Sequence, residues 1–425
     1  MMKRVFSTIA VASFAIVSFA GGLLTNTNQS ASFVRNPARY ASLETDAIYF
    51  NPAGTAFFNE GWSFSGNWQM IRQDRDVYAG GKEYKGSVFV PCMPTFFAAY
   101  KTGDWTFSGY FGMPGGGGNA QFNNGLPMFN NMGAGFLVGT PLKAVSNFES
   151  TQYLFSLQLG AAYQINENLS VYGGLRTNYT SLSYEGAIDA IHPITGTTMV
   201  NLLSLELTQT GLAFAPIVGV DYKVGDFNFG VKYEFRAVNT IKNDTKTLSS
   251  QGTNLIGIVG LAMPTMASLD DKQEFRYDAP AKLSVGASWD ITDRVKVMGA
   301  GTYYFDKDAR IESLLGKENT MHKLSRNTFE LLAGVEYKLT DKWLLSSGIQ
   351  FSDFGINDEY ISEMSFINDS FMVGAGAKYS INEKCDLNFG ACYANYAHDT
   401  DYSEGYMTCF RRKTINLAIG VDFRL

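Results

Sequence analysis

Histidine is almost missing from this chain: His192, His322 and His398 are the three in 425 residues, and they lie far apart. A metal enzyme or a serine hydrolase needs histidine gathered beside further ligands or a nucleophile, and nothing in the sequence gathers these. Cysteine is nearly as scarce. Four cysteines, none in a Cys-x-x-Cys spacing, are too few for a disulfide scaffold and give zinc or thiol-redox chemistry no support. Cys392 and Cys409 flank one predicted loop, but period-2 parity puts them on opposite faces. Charged residues make up 17%, against about a quarter in ordinary soluble domains. The net charge is −6 with no basic run, so the footprint of a nucleic-acid binder is missing. Beyond the extreme N-terminus there is no run of about 20 apolar residues such as an α-helical membrane span requires. No cofactor motif is found, and no metal ligand set. What the chain does have is 43 Gly, 32 Phe and 23 Tyr at a mean hydropathy of −0.07, so apolar and polar residues are finely interleaved.

The N-terminus reads as an export signal. Met1-Met2-Lys3-Arg4 is basic, 5–20 is apolar, and Ser18-Phe19-Ala20 fits a small-x-small cleavage site, which predicts a leader over 1–20. A lone transmembrane anchor would be longer and followed by a stop-transfer pattern. No cysteine follows the cleavage site, so a lipoprotein is not indicated. The mature chain is expected to cross a bacterial inner membrane.

From Trp62 onward apolar residues recur at every second position over long stretches, as in Tyr153-Phe155-Leu157-Leu159-Ala161-Tyr163 and Ile415-Leu417-Ile419-Val421-Phe423-Leu425. These runs exceed the five or six residues of a typical globular strand and match the 9–11 of a membrane-spanning one. Six short polar turns, at 101–104, 165–168, 223–226, 291–294, 339–342 and 381–384, each separate two such runs. Between them lie seven less regular segments, at 74–87, 114–150, 184–201, 243–273, 306–325, 352–369 and 396–411. Six turns and seven loops join fourteen strands, an even number with both termini on the periplasmic side. Aromatics on the apolar parity flank every short turn, among them Tyr100, Trp105, Tyr163, Tyr222, Phe227, Trp289, Tyr337, Trp343, Tyr379 and Phe389. Rings at that height suit the headgroup region of a bilayer. The pattern predicts an all-β fold, a fourteen-stranded antiparallel transmembrane barrel over 61–425. Its final residue, Leu425, is not the aromatic that usually ends such a barrel.

Residues 21–60 do not alternate. They carry Asn36-Pro37-Ala38 and Asn51-Pro52-Ala53-Gly54, which read as turns between short helices. A solvated tail would not contain Leu23, Leu24, Phe33, Tyr40, Ile48, Tyr49, Phe50, Phe57 and Phe58. Attached to the periplasmic end of a barrel, such a segment buries itself in the lumen as a plug.

An exported N-terminal hatch with Asp46 and Asn51-Pro52-Ala53-Gly54, a shorter copy at Asn36-Pro37-Ala38, and then fourteen strands resembles the FadL/TodX outer-membrane transporters of long-chain fatty acids and hydrocarbons. The motif resemblance covers 30–61 and the architectural one the whole mature chain. It implies a monomeric passive transporter that meets outer-membrane lipid and carries a fatty acid-like cargo. It also implies a third strand kinked so as to open the wall sideways. In this chain that strand runs into Pro114-Gly115-Gly116-Gly117-Gly118, where pairing must break or bulge, unless an external loop simply begins there. The segment that follows, with Met128, Phe129, Met132 and Phe136, is apolar for an external loop. It either packs over the barrel mouth or forms an outer apolar groove where cargo lands, the role that the resemblance gives to this loop.

With the apolar parity facing lipid, the inward set includes Tyr172, Arg176, Lys232, Glu234, Arg236, Lys282, Glu330 and Glu336. Arg176, Lys232 and Lys282 lie at similar depth, and a cation in a dry pocket holds a carboxylate by a charge-assisted hydrogen bond. The alternative is that these cations are ordinary lumen ion pairs with Glu234, Glu330, Glu336 or the plug. The function expected is passage of hydrophobic small molecules, most of all long-chain fatty acids, with no enzymatic step. A polar diffusion pore and a surface adhesin are the competing readings, and the apolar hatch argues against the pore.

Overall fold

The structure, a computed structural model, describes residues 27–249, 267–314, 316–363, 367–397, 399–401 and 407–425. The predicted leader, hatch residues 21–26 and His398 lie outside the described residues.

One closed antiparallel sheet of fourteen strands forms the body. They are β1 Gly61–Ala79, β2 Lys82–Thr102, β3 Trp105–Phe122, β4 Lys143–Gln164, β5 Leu169–Ile191 and β6 Thr198–Val224. Next come β7, in two pieces (Phe227–Glu234 and Thr240–Ser249), and β8, also in two (Glu274–Arg276 and Lys282–Thr292). The rest are β9 Val295–Tyr304, β10 Phe329–Lys338, β11 Trp343–Asp353, β12 Ser370–Asn382, β13 Cys385–Tyr396 and β14 Thr408–Arg424. A short piece, Asp399–Asp401, adds to the outer end of β14. The barrel closes where β1 meets β14, in unbroken register from Ser63 opposite Arg424 to Ala79 opposite Thr408.

The wall is inside-out relative to a soluble protein. On β14, Ile415, Leu417, Ile419, Val421 and Phe423 are exposed, while Thr414, Asn416 and Asp422 are buried. Lipid solvates the first set and the lumen holds the second. All six short turns join strands as the sequence predicts. Beside them aromatics pair across neighbouring strands: Trp62 with Tyr100 at 4.8 Å, Trp105 with Tyr163 at 4.7 Å, and Trp343 with Tyr379 at 4.7 Å between ring centroids.

The outer connections are shorter than expected. The segment 74–87 is not a loop: β1 and β2 continue through it to a tight turn at Gly80 and Gly81, both with positive φ (55° and 74°). Likewise β5 reaches Ile191 and β6 begins at Thr198, so most of 184–201 is strand. These extensions rise past the membrane, where outward side chains meet water. The apolar alternation therefore stops while the ladder continues. All four cysteines are free, with Cys392 buried on an inward position and Cys409 on the opposite parity.

Residues 27–58 fill the periplasmic half of the lumen. Helix α1, Ala31–Arg35, begins where the Phe33 amide donates to Ser30 Oγ at 2.9 Å and ends at Asn36, held extended by the following Pro37. Helix α2, Ala47–Phe50, passes through Asn51 into a 3-10 turn, Pro52–Phe57, with proline at its first position. Phe33, Val34, Ile48, Tyr49 and Phe50 are at most 1% exposed, which is how this apolar segment escapes water. At the other end of the barrel, α3, Pro127–Phe136, follows β3.

Candidate functional site

The hatch is seated on a belt of wall glycines. A Cβ at Gly230 would fall 2.2 Å from the Tyr40 carbonyl oxygen, one at Gly374 2.3 Å from that of Val34, and one at Gly334 1.9 Å from Asn36 Oδ1. No side chain fits there, so the hatch backbone lies directly against the wall. Both Asn-Pro-Ala units take part. Asn51 Nδ2 donates to the Asp221 carboxylate and to the Ser42 carbonyl (3.1 Å), and Asn228 joins at Asp221 (3.0 Å). The Ala53 carbonyl accepts from Ser170 Oγ at 2.8 Å. A Cβ at Gly54 would meet the Asn51 side chain, and one at Gly348 would lie 2.7 Å from Pro37 Cδ.

Charge completes the seating. Arg39 forks onto Asp46 at 3.0 and 2.9 Å and also holds Glu44. Arg35 reaches Glu336 on β10 at 2.9 Å, and Lys378 on β12 reaches Glu44 at 2.6 Å. Burial alone would push the Glu44 carboxyl up, but Lys378, Arg39 and Arg35 hold it well below the usual carboxylate range. Arg39 stays charged: burial acts against it, and Asp46, Glu44 and Glu336 outweigh that.

Above the hatch, Arg176, Lys232 and Lys282 come together from β5, β7 and β8. All three point inward and are buried. Arg176 Nη1 lies 2.6 Å from Glu234 Oε1, and Lys282 Nζ lies 3.4 Å from Glu234 Oε2. Arg176 also donates to Gln158 Oε1 at 2.5 Å, and Lys232 donates to the Tyr49 carbonyl at 2.7 Å. The Tyr49 ring is their common floor, 4.6 Å from the Arg176 guanidinium and 4.7 Å from Lys232 Nζ. Arg176 and Lys282 thus share the Glu234 carboxylate, with Lys232 beside them on the same hatch residue. Glu330 and Glu336 are inward as expected, on other partners: Glu330 accepts from Tyr304 at 2.8 Å and Gln350 at 2.7 Å, and Glu336 holds Arg35. Arg236 departs from expectation. It lies past the end of the first piece of β7, exposed, donating to the Asp308 carbonyl.

The third strand continues through its glycines instead of giving way to a loop. It pairs with β4 throughout, with register shifts between Gly112 and Gly115 and between Gly116 and Gly118. On its other side the ladder to β2 is lost between Val88 and Phe96. Pro91, Pro94 and Pro114, which lack amide donors, all fall in this gap. Gly116 and Gly118 have positive φ, and a Cβ at Gly116 would strike the Gln152 carbonyl oxygen at 2.4 Å. The hatch touches this seam: Gln29 Nε2 donates to the Met113 carbonyl at 3.1 Å and Tyr110 Oη donates to Gln29 Oε1 at 2.5 Å. A cleft lined by Gly116, Tyr153, Leu154, Leu182, Ala213 and Tyr277 abuts the bulge.

Helix α3 lies beyond this cleft. Phe129 packs on Phe148 at 5.4 Å between centroids, and Met132 and Phe129 cover an apolar cluster of Leu137, Ala144, Ile188, Ala190 and Leu202. Met128 packs on a second, larger cluster, and its amide donates to Glu363 Oε2 at 2.8 Å, tying the helix to the β11–β12 connection. The Phe136 side chain lies outside the described residues. Sequence reasoning missed Gln29, Pro91, Pro94, Arg75 and Arg412. For the two arginines a signal was present, because each keeps the inward parity of its strand.

An apolar exterior, a polar lumen, periplasmic aromatics and a buried N-terminal plug define an outer-membrane transport barrel. The chain belongs to the family described as outer membrane protein transport protein (OMPP1/FadL/TodX), whose model matches residues 11–408. It is thus a protein of the bacterial outer membrane, in a family that transports hydrophobic compounds. Solved structures share the fold. A Pseudomonas aeruginosa FadL homologue is 16% identical with a TM-score of 0.72, covering 97% of this chain and 100% of its own. The Pseudomonas putida toluene transporter TodX is 14% identical with a TM-score of 0.63, covering 95% and 100%. The Ralstonia pickettii toluene transporter TbuX is 14% identical with a TM-score of 0.60, covering 92% and 98%. No curated protein matches the chain by sequence.

Proposed function

We propose that the cargo is an amphiphilic monocarboxylate of fatty-acid type, bound by its head group at Arg176, Lys232 and Lys282. The observation that carries this reading is the surplus of buried positive charge, Arg176 and Lys282 against the one Glu234 carboxylate with the Lys232 amine beside them. A dry lumen disfavours that surplus unless an anion arrives, and Arg176 Nε, buried without a hydrogen-bond partner among the described residues, is a donor left for it. A neutral aromatic hydrocarbon has no use for such cations. Helix α3 with Met128, Phe129, Met132 and Phe136 is the landing surface, and the leader over 1–20 directs export.

Two exits are open to the bound cargo. Tyr49 floors the cation cluster and belongs to the hatch, so a hatch shift that withdraws Tyr49 opens the path to the periplasm. The β2–β3 seam leads sideways into the membrane, sparing the tail a passage through water. Its residues Pro114, Gly115, Gly116 and Gly117 keep it from closing. Titration of the full chain with laurate and with dodecanol tests the head-group assignment. Arg176→Gln is expected to weaken laurate roughly tenfold, the scale of one charge-assisted hydrogen bond, and to leave dodecanol unchanged. Equal effects on the two ligands would refute it.

A further inference from the structure

The outer half of the lumen holds a further pair of buried arginines. Along the β1–β14 closure the inward positions pair rung by rung from outside in: Val77 with Phe410, Arg75 with Arg412, Gln73 with Thr414, Ile71 with Asn416. Arg75 and Arg412 are each 2% exposed. The Arg412 guanidinium stacks on the Tyr396 ring at 4.1 Å from its centroid. None of its three nitrogens has a hydrogen-bond partner among the described residues. A guanidinium buried without a hydrogen-bond partner is costly, the like charge of Arg75 across the rung adds to that cost, and an anion at Arg412 relieves it.

The surroundings say what kind of anion. The rung above is apolar, and Val77 and Phe410 join a buried cluster with Ile71, Val90 and Phe122. The rung below is neutral, with Gln73 Nε2 donating to Thr414 Oγ1 at 3.2 Å. Cations bordered by apolar side chains suit a head group that carries an apolar tail. Arg75 lies fourteen residues above the start of β1 at Gly61, whereas Arg176 lies seven above the start of β5 at Leu169. At about 3.3 Å per residue the arginine pair is roughly 23 Å further along its strand.

We propose that Arg75 and Arg412 form an outer head-group site, distinct from the Arg176 cluster, that takes the carboxylate of an amphiphilic monoacid on its way in. This rests on the reading that the cargo is a carboxylate. Calorimetric titration of the full chain in neutral detergent, with laurate, dodecanol and inorganic phosphate as separate probes, tests it. Wild type is expected to bind laurate at two sites and phosphate alone at none. Arg412→Gln and Arg75→Gln each remove one laurate site, by about tenfold or more in affinity, and leave the other within about twofold. Arg412→Lys, which keeps a positive charge, retains both sites. The heat-dependent shift of the barrel on a denaturing gel shows that each variant is folded, and if Arg412→Gln fails that check, Arg75→Gln decides. Two laurate sites persisting in folded Arg412→Gln and Arg75→Gln overturn the proposal, as does phosphate binding that these variants remove. Loss in Arg176→Gln alone overturns only the outer site. Loss in none of these variants overturns the inner reading as well.

Discussion

The two halves of the lumen are built on opposite principles. In the periplasmic half each hatch charge meets a counter-charge: Arg39 with Asp46 and Glu44, Arg35 with Glu336, Lys378 with Glu44. There the hatch backbone rests on glycines that admit no side chain. In the outer half the ladder between β2 and β3 is interrupted, β7 and β8 are broken, and Arg412 is buried without a hydrogen-bond partner among the described residues. The inner half is organised to stay shut. The outer half gives up wall hydrogen bonds, which fits the admission and release of cargo that we propose for it. Between them sits the Arg176 cluster, resting on Tyr49 of the hatch, where the plug meets the head-group site we propose.

The largest way to break this contrast is to remove the inner half. Deleting 27–58 is expected to raise single-channel conductance roughly tenfold or more in planar bilayers, toward that of an open barrel. A channel that stays closed would mean the hatch is not the barrier. A subtler break is Arg39→Ala, which takes from Asp46 its ion-pair partner and from Glu44 one of three. Removing one member of a buried ionic network costs about 3–5 kcal/mol. The hatch of this variant is expected to become cleavable by protease in intact outer membranes, while the barrel keeps its heat-dependent gel shift.

The outer half answers to different changes. Pro91→Thr combined with Pro94→Thr returns two backbone donors to β2 beside the unpaired stretch of β3. Transfer of bound laurate to liposome lipid is expected to slow severalfold with conductance unaltered; a change in conductance instead would place the seam in the inner barrier. The smallest effect is a pH dependence. Glu44 is held below its ordinary value of 4.5 in the seated hatch. Its contribution to seating is therefore complete above that value and is lost as pH falls through the lower, seated one. Conductance events are expected to appear reversibly only as the pH falls below 4.5.

How much of this was legible follows from where water is. Within the membrane the wall must show lipid one face and the lumen the other, so period-2 alternation located the strands, the short turns and the inward parity of Arg176, Lys232, Glu234 and Lys282. It did not reveal that these four meet, because convergence across β5, β7 and β8 depends on barrel register. Above the membrane the constraint on the outward face disappears. The segment from Asp74 through Arg75 and Asp76 reads as the start of a charged loop, yet the ladder to β14 runs straight through it. Arg75 was lost to sequence reasoning for that reason, whereas Arg412 stood at the start of a predicted strand with inward parity and was passed over. The Asn-Pro-Ala units marked the hatch because proline dictates backbone form locally. The wall glycines that receive it carry no such local mark. Pro91 and Pro94 are visible as residues, but their effect depends on facing the glycines of β3.

Uptake into liposomes carrying the intact protein tests the central claim most directly, with a fluorescent long-chain fatty acid and a small sugar compared in the same vesicles. The account predicts entry of the fatty acid, reduced by Arg176→Gln, and exclusion of the sugar until the hatch is deleted. Sugar entry through the intact protein without fatty-acid binding would contradict it.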